Sequence, residues 1–429
     1  MSDAAANSPE RRLSILMTEG SSISARQILY DLGPQHTIDV LDPDPLCQCR
    51  VSTLIRRWHR CPSFTADPCG FLKCLGERLR LGRYDVLLPP HDEVFLLSRV
   101  REPLRQLVRV AIPDFNVITI LQSKLQFHAL ANELQLPHPE THVLVDQREI
   151  DQWSDYPRFA KLDFGTAGQT VRLVQSQREL EAALRDFEEH GWWSPGMPIL
   201  MQKPAAGAQG FVRAIFQHGR LVAHHATVLL RRGVGGAAVA KVGVRHPVVE
   251  EHMRRLGERL GWHGALFCDY FYDEAHERPQ YIEANPRIGD SANANFSGLN
   301  LTQRWVDVAM ERDVPPQPAA NPGVRSHAAM LVLMSRALEG AGRGALLSEL
   351  RQRFLRRGLY ENSRDELTRP KNDPLSAVAF GWIAARLLMR PGSVHGMVRR
   401  TVANYALTAE AAQRIRELPL EKLTASLSN

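Results

Sequence analysis

Lysine is the scarce charge carrier in this chain, with seven residues against 46 arginines among the 53 basic positions. The default surface cation is therefore arginine, and each lysine asks for a reason of its own. Four of the seven fall between 124 and 241, where a compact ammonium on a flexible stem suits reaching a phosphate better than a flat guanidinium does. Long apolar runs are missing as well. Nothing approaches 18 uninterrupted apolar residues, VAFGWIAARLLM carries Arg386 inside it, and the opening MSDAAANSPERR has no apolar core, so no membrane partner and a cytoplasmic location are expected. No CxxC pair occurs, although Cys47, Cys49, Cys61, Cys69 and Cys74 lie within 28 residues; reduced structural thiols are expected rather than a zinc or redox centre. At a net charge of +6 there is no run of like charge and no basic–aromatic interleaving, so nucleic acid is not an expected partner. Neither GxGxxG nor GxxxxGK(S/T) is present, and no repeat of 20 to 50 residues is evident.

What is there is a chain of 429 residues, 44% hydrophobic, long enough for two or three domains with cores of their own. Residues 13 to 120 alternate strand and helix: RLSILMT as a strand, SARQILYDLG as a helix closed by Gly33, then the strands TIDVLD and YDVLLPP. That alternation predicts a parallel sheet. TEGSS and PPHDE each follow a strand, at the carboxyl ends where such sheets bind ligands, though either also reads as a plain loop. From about 119 helices mix with short strands, and VPPQPAANPG, residues 314 to 323, reads as a linker before mostly helical patterns.

Three stretches carry chemistry. YPRFAKLDFGTAGQ delivers Lys161 from a strand into a loop with Gly165, Thr166 and Gly168, whose backbone can wrap a phosphate while the lysine meets its charge. PILMQKPAAGAQG runs an apolar strand into Gln202, Lys203 and Ala205, a hinge able to offer backbone donors and acceptors to a base. Taken singly, each also reads as a strand ending in a turn. The third, GALFCDYFYDEAHERPQYIEANPRI, reads as two strands about a polar turn. With residue 276 at the centre, Asp269 lies across from Glu283, and Glu283, Asn285 and Arg287 share one face. Two facing carboxylates repel unless a cation sits between them, and an all-oxygen set with Asn285 suits Mg2+ better than zinc or copper. Surface salt bridging is the plainer alternative. His224 and His225, in an apolar strand, read as ordinary half-buried histidines.

Joined in order, these pieces resemble the ATP-grasp superfamily over roughly residues 13 to 315, within the branch that holds biotin carboxylase, carbamoyl-phosphate synthetase and the carboxylate–amine ligases. The specific motif is E-x-N-P-R at 283 to 287. The resemblance implies an α/β (α+β) ATP-grasp fold with an N-terminal parallel-sheet domain (1–118), an ATP-grasp domain (119–313, lid subdomain about 130–205), the 314–323 linker and a mainly helical C-terminal extension (324–429). It further implies Lys124 and Lys161 as phosphate-binding lysines, Gly165, Thr166 and Gly168 in a glycine lid, and Gln202, Lys203 and Ala205 beside the adenine. Gln209 falls at the ribose position, while Asp269, Glu283 and Asn285 match the metal ligands and Arg287 the arginine of the acyl-phosphate region. Arg231 and Lys241 match basic residues that reach the terminal phosphate or substrate carboxylate, and Ser291, Asn293 and Asn295 are candidate substrate contacts. The glutamines at 202 and 209 depart from the family's acids there, removing two negative charges near the nucleoside. ANANFSG after Arg287 also departs from biotin carboxylase and favours a small substrate over a carrier protein.

The implied activity is that of an ADP-forming carboxylate–amine ligase using ATP and Mg2+, with Mn2+ as a substitute ion. It activates a small carboxylate as an acyl phosphate for attack by an amine. The alternatives are a bicarbonate-dependent carboxylase or carbamoyl-transfer enzyme, and an ATP-binding regulatory protein without turnover. The helical tail packs, closes over the substrate with Arg325 and His327 near the entrance, or forms a homodimer.

Overall fold

The computed structural model describes residues 11–165, 168, 170–233, 236, 238–318, 320–397 and 407–428. Near the N-terminus the strands β1 (Ser14–Thr18), β2 (Thr37–Asp42), β3 (Ile55–Arg60) and β4 (Val86–Leu88) form a parallel sheet in the order β3-β2-β1-β4. β1, β2 and β4 are near-continuous apolar runs because helices cover the sheet. The helix Ile23–Leu32 starts at Ser22, whose hydroxyl accepts from the Ala25 amide, a cap worth about 1 kcal/mol. β3, with the sequence IRRWHR, lies at the edge of this sheet.

A second, antiparallel sheet has the order β5-β8-β6-β7, from β5 (Thr141–Leu144), β6 (Arg158–Leu162), β7 (Val171–Val174) and β8 (Ile199–Gln202). The helix Gln177–Glu189 covers it with Leu180, Ala183, Leu184 and Phe187, the spacing of one helical face. These close a small core of their own with Ile199, Met201 and Trp193.

The third sheet has seven strands in the order β13-β12-β9-β10-β11-β14-β15. Its members are β9 (Ala208–Gln217), β10 (Arg220–Arg232), β11 (Ala238–Val244), β12 (Gly264–Asp273), β13 (Arg278–Asn285), β14 (Arg325–His327) and β15 (Ser363–Asp365). The helix Pro247–Leu260 packs Val249, Met253 and Leu256 into the core that holds Cys268, Tyr270 and Tyr281. Asp269 alternates with Cys268 and Tyr270 and takes the opposite face, and a register shift between Tyr281 and Glu283 puts Glu283 there as well.

The segment 314 to 323, expected as a linker, lies along the body. Gln317 N–H donates to the Val222 carbonyl at 2.9 Å, Asn321 to Ser297 at 3.1 Å and Gly323 to Gly243 at 2.8 Å. Immediately beyond it, β14 joins β11 and then β15, so part of the tail extends the central sheet. The helix Leu420–Ser428 returns to the helix Pro68–Gly82, where a Cβ on Gly76 would stand 2.0 Å from the Leu427 carbonyl oxygen. The six cysteines are free thiols, and burial pushes Cys47 up to about 12, far from a reactive thiolate. No helix among the described residues is long and apolar enough to cross a membrane.

Candidate active site

β12 and β13 pair in the register that sets Asp269 opposite Glu283 and Phe267 opposite Asn285. A register shift follows at once, with Tyr270 opposite Tyr281, so Ile282 forms a bulge beside the acidic pair. Facing residues in such a pair stand ~5 Å apart, where two ionised carboxylates repel by about 3 kcal/mol at an effective dielectric of ~20. That exceeds a surface ion pair's usual worth of about 0–1 kcal/mol, so the pair needs a proton or a cation. Burial, then the charge of Glu283, pushes the Asp269 carboxyl up to about 8. The Asn285 amide donates to Asp269 Oδ2 at 3.4 Å, which turns its carbonyl oxygen outward from that contact.

Lys161 reaches the same face from the second sheet. Its ammonium lies 2.5 Å from Gln202 Oε1, and Gln202 in turn donates to Thr141 Oγ1 at 3.0 Å. Burial pushes Lys161 down to about 8, against the pull of Glu283 and Asp269 and with the help of Lys124. Lys124 begins the helix Lys124–Glu133, and its Nζ lies 3.3 Å from the Gly165 carbonyl and 3.4 Å from that of Asp163. Asp163 fixes this arrangement by accepting from Ser123 Oγ at 2.6 Å and from Leu125 N–H at 2.9 Å. Gly165 and Gly168 have φ of 153° and 70°, backbone that favours glycine, and Thr166 lies outside the described residues.

The hinge residues are less buried. Lys203 pairs with Glu140 at 2.7 Å, Ala205 is half-buried, and Gln209 accepts from the Arg232 guanidinium.

Arg287, two residues past the end of β13, ion-pairs with Asp92 from the PPHDE loop of the N-terminal sheet. Burial, then Arg287, pushes the adjacent His91 down to about 4, so that imidazole is neutral. Arg213 is buried on β9 beside the stacked rings of Phe211 and Phe267, and donates to Thr227 Oγ1 at 3.0 Å. Asp92, Asp290, Arg213 and Glu366 are the charged neighbours that sequence reasoning missed. Arg213 carried a signal, being the lone charge in the apolar run GFVRAIF.

Other candidates sit deeper in the scaffold. Lys241 is fully buried, with Nζ 2.7 Å from Asp290 and 3.1 Å from Glu366. Burial works against ionised Asp290, but Lys241 and Arg213 outweigh it and hold that carboxyl below its ordinary range. Arg231 lies 3.8 Å from Glu349 of the tail. Asn293 spends both ends of its amide, on His225 at 2.7 Å, Ser326 at 2.7 Å and the Val324 carbonyl at 3.0 Å, and Ser291 donates to Asp31 at 3.2 Å. Asn295 is half-buried. Of the two histidines, His225 is the more deeply buried and is neutral, pushed down to about 3 by burial. Arg325 and His327 form β14, His327 being fixed 2.7 Å from Ser363 Oγ.

Among the described residues, one group of three His, Cys, Asp or Glu side chains brings ligand atoms within 4.8 Å of one another: His218, His263 and Glu311. Arg105 already holds Glu311 at 3.2 Å, and His263 Nδ1 accepts from the His218 amide at 3.4 Å, so hydrogen bonding accounts for this cluster.

A four-stranded parallel sheet, a small antiparallel sheet bearing Lys161, and a large antiparallel sheet bearing the acidic pair make up the ATP-grasp fold. No family model matches the chain. Biotin carboxylase from Campylobacter jejuni, solved as its β-γ-ATP complex, superposes with a TM-score of 0.59 at 13% identity over 73% of this chain and 74% of that one. The L-amino acid ligase from Bacillus licheniformis superposes with a TM-score of 0.53 at 14% identity over 72% of this chain and 78% of that one. Among curated sequences, acetyl-CoA carboxylase of Dictyostelium discoideum is 26% identical over 183 residues, or 38% of this chain; the match spans 7% of that protein's length.

Proposed function

We propose that the protein uses ATP to phosphorylate a small-molecule carboxylate and passes the acyl group to an amine, forming an amide with release of ADP and phosphate. The observation that carries this reading is the facing pair Asp269 and Glu283 with the Lys161 ammonium on the same side. The donor set fits a hard divalent cation: two carboxylates and an amide oxygen, with one carboxyl kept protonated where a positive charge is wanting. Mg2+ bound by Asp269, Glu283 and Asn285 supplies neutralisation of the phosphate oxygens.

The remaining roles belong to the chain's own residues. Lys161 and Lys124 hold the transferring phosphates, and the loop with Gly165 and Gly168 covers them. Gln202, Lys203 and Ala205 line the base, and Gln209 the ribose. Arg287, anchored by Asp92, steadies the negative charge that develops as the carboxylate attacks phosphorus and again as the amine attacks the acyl carbon. Catalysis on this plan is positioning and neutralisation, and no protein nucleophile is required. Lys241 and Asn293 hold the site's walls rather than the substrate, since their polar atoms are already engaged.

The similarity to acetyl-CoA carboxylase supports a second reading in which bicarbonate is the acid that is activated. ADP release separates the two: the ligase needs a carboxylate and an amine together, whereas the carboxylase responds to bicarbonate with no amine. For either, Glu283→Gln is expected to lower turnover by at least about a hundredfold with the fold intact. Unchanged ADP release in that variant defeats the metal assignment.

A further inference from the structure

TEGSS and PPHDE, far apart in sequence, meet in the fold. Thr18 at the end of β1 donates to Glu93 Oε1 at 2.5 Å, and the His91 amide approaches the same oxygen at 3.5 Å. Glu93 is fully buried and its other oxygen, Oε2, has no hydrogen-bond partner. Glu19, the next residue after Thr18, is 4% exposed, and among the described residues no side chain donates a hydrogen bond to its carboxyl. Asp42, from the end of β2, completes the group and is satisfied by the Ser21 and Asp44 amides, both at 2.7 Å.

With Asp92, which is also buried, Glu19, Asp42 and Glu93 make four carboxyls at the carboxyl ends of β1, β2 and β4. The Arg287 guanidinium among them is taken by Asp92. An ionised carboxylate without a partner is expensive to bury, and a cluster of them either keeps protons or takes a cation. Burial and then the charge of Glu93 raise Glu19 well above the ordinary carboxylate range, and burial pushes Glu93 up to about 8, so this pair favours holding protons until a cation is supplied. Contrast Asp290, which burial also disfavours but which Lys241 and Arg213 keep ionised.

We propose that Glu19 and Glu93 form the recognition site for a primary ammonium group, that of the amine substrate, and hold it beside the Asp92–Arg287 pair. This rests on the ligase reading given above. Arg287 is assigned there to the acyl phosphate, so an ammonium on the adjoining carboxylates lies next to the carbon it must attack. In the transfer step the bound ammonium first gives a proton to one of the two carboxylates, which frees the lone pair that forms the C–N bond; the C–O bond to phosphate breaks as phosphate leaves, and the second proton shed by nitrogen passes to the other carboxylate, leaving both as neutral acids. An ammonium brings three donors and no acceptor to carboxyl oxygens that lack donors, Glu93 Oε2 among them; a divalent cation is the competing occupant that the experiment below separates from it.

The test is a thermal-shift screen of the intact protein, with and without MgADP, against the twenty amino acids, ethanolamine and putrescine, each amine paired with its N-acetyl counterpart. At least one free amine is expected to raise Tm while its N-acetyl form does not, and Glu19→Gln and Glu93→Gln, shown folded by circular dichroism, are expected to lose that discrimination. Equal or larger shifts with the N-acetyl form, no shift with any amine, or discrimination retained in both variants overturns the proposal. A divalent cation that stabilises in place of the amines overturns it in favour of a metal site. The wild-type shift with MgADP alone tests the ATP reading separately, so the two can fail independently.

Discussion

Lys161 and Gln202 touch across a diagonal of the small sheet: Lys161 faces Leu200 and Gln202 faces Phe159 in the register, yet Nζ and Oε1 lie 2.5 Å apart. Diagonal neighbours in an antiparallel pair are within reach of long side chains, and this contact keeps a buried lysine aimed at the acidic face of the central sheet.

That lysine is a stability cost accepted for function. Burial pushes it down to about 8 from an ordinary 10.5. Between those values the unfolded chain keeps a proton that the folded chain has given up, so this group's contribution rises with pH across the window. Below pH 8 its full cost is present. Lys161→Met is therefore expected to be more stable than the wild type at pH 7, by about 1–3 kcal/mol in urea titration, with the gap closing towards pH 10.5. The same variant is expected to lose nucleotide-dependent ADP release. A less stable variant at pH 7 contradicts the account of its burial.

Lys241 is the opposite case. Its ammonium is the shared partner of Asp290 and Glu366, and it has no exposure of its own. Lys241→Met takes the one cation from the buried Glu366, which keeps Gln27 and Ser326 as donors, and from the partly exposed Asp290, and the expected loss is about 3 kcal/mol, measured without nucleotide or substrate. A variant of wild-type stability that has lost only turnover would move Lys241 from the scaffold to the substrate.

Asp373 ties the tail to the N-terminal sheet. It is fully buried and accepts from Arg26 Nη2 at 2.6 Å, Ser52 Oγ at 2.7 Å and the Thr53 amide at 3.1 Å. Asp373→Ala leaves Arg26 charged and buried, so a loss of about 3–5 kcal/mol is expected in urea titration. Arg26 keeps backbone partners in the Gln48 and Val51 carbonyls, which places the expected value towards the lower end.

Local patterning made some of this legible and hid the rest. The runs SILMT and TIDVLD and the helix before Gly33 are set by burial and capping, both local, and the structure holds them. The facing of Asp269 and Glu283 is expected from a hairpin centred on residue 276, but the strands next to the turn pair half a step off that centre, Asp273 opposite Arg278, and the bulge at Ile282 is what brings Asp269 across from Glu283. β3 escaped because IRRWHR is an edge strand whose charged residues break the apolar signal. β14 and β15 escaped because three residues each, RSH and SRD, are too short to show a period of two. No spacing in the sequence could bring Asp92 to Arg287, which depends on how separate sheets pack, or Glu366 to Lys241, which depends on the order of β11, β14 and β15 within one sheet. PRIGD did place Asp290 three residues beyond Arg287, but its buried role depends on Lys241 arriving from β11.

The turn between the two antiparallel sheets gives a last expectation. Gly207 has φ 95°, and a Cβ there would lie 2.1 Å from the Tyr272 carbonyl oxygen and 2.9 Å from the Asp273 amide nitrogen, both backbone atoms that cannot swing aside. Alanine must therefore displace either the 203–207 segment or the end of β12, while also adopting a left-handed backbone that costs it about 1 kcal/mol or more. Gly168, also at positive φ, has nothing within 4 Å of the corresponding Cβ, so alanine there meets only the backbone cost. Gly207→Ala is expected to lower Tm by several degrees more than Gly168→Ala. Because this segment follows Gln202 and Lys203, the same variant is expected to weaken the stabilisation by MgADP; equal Tm values for the two variants would remove the steric argument for the turn.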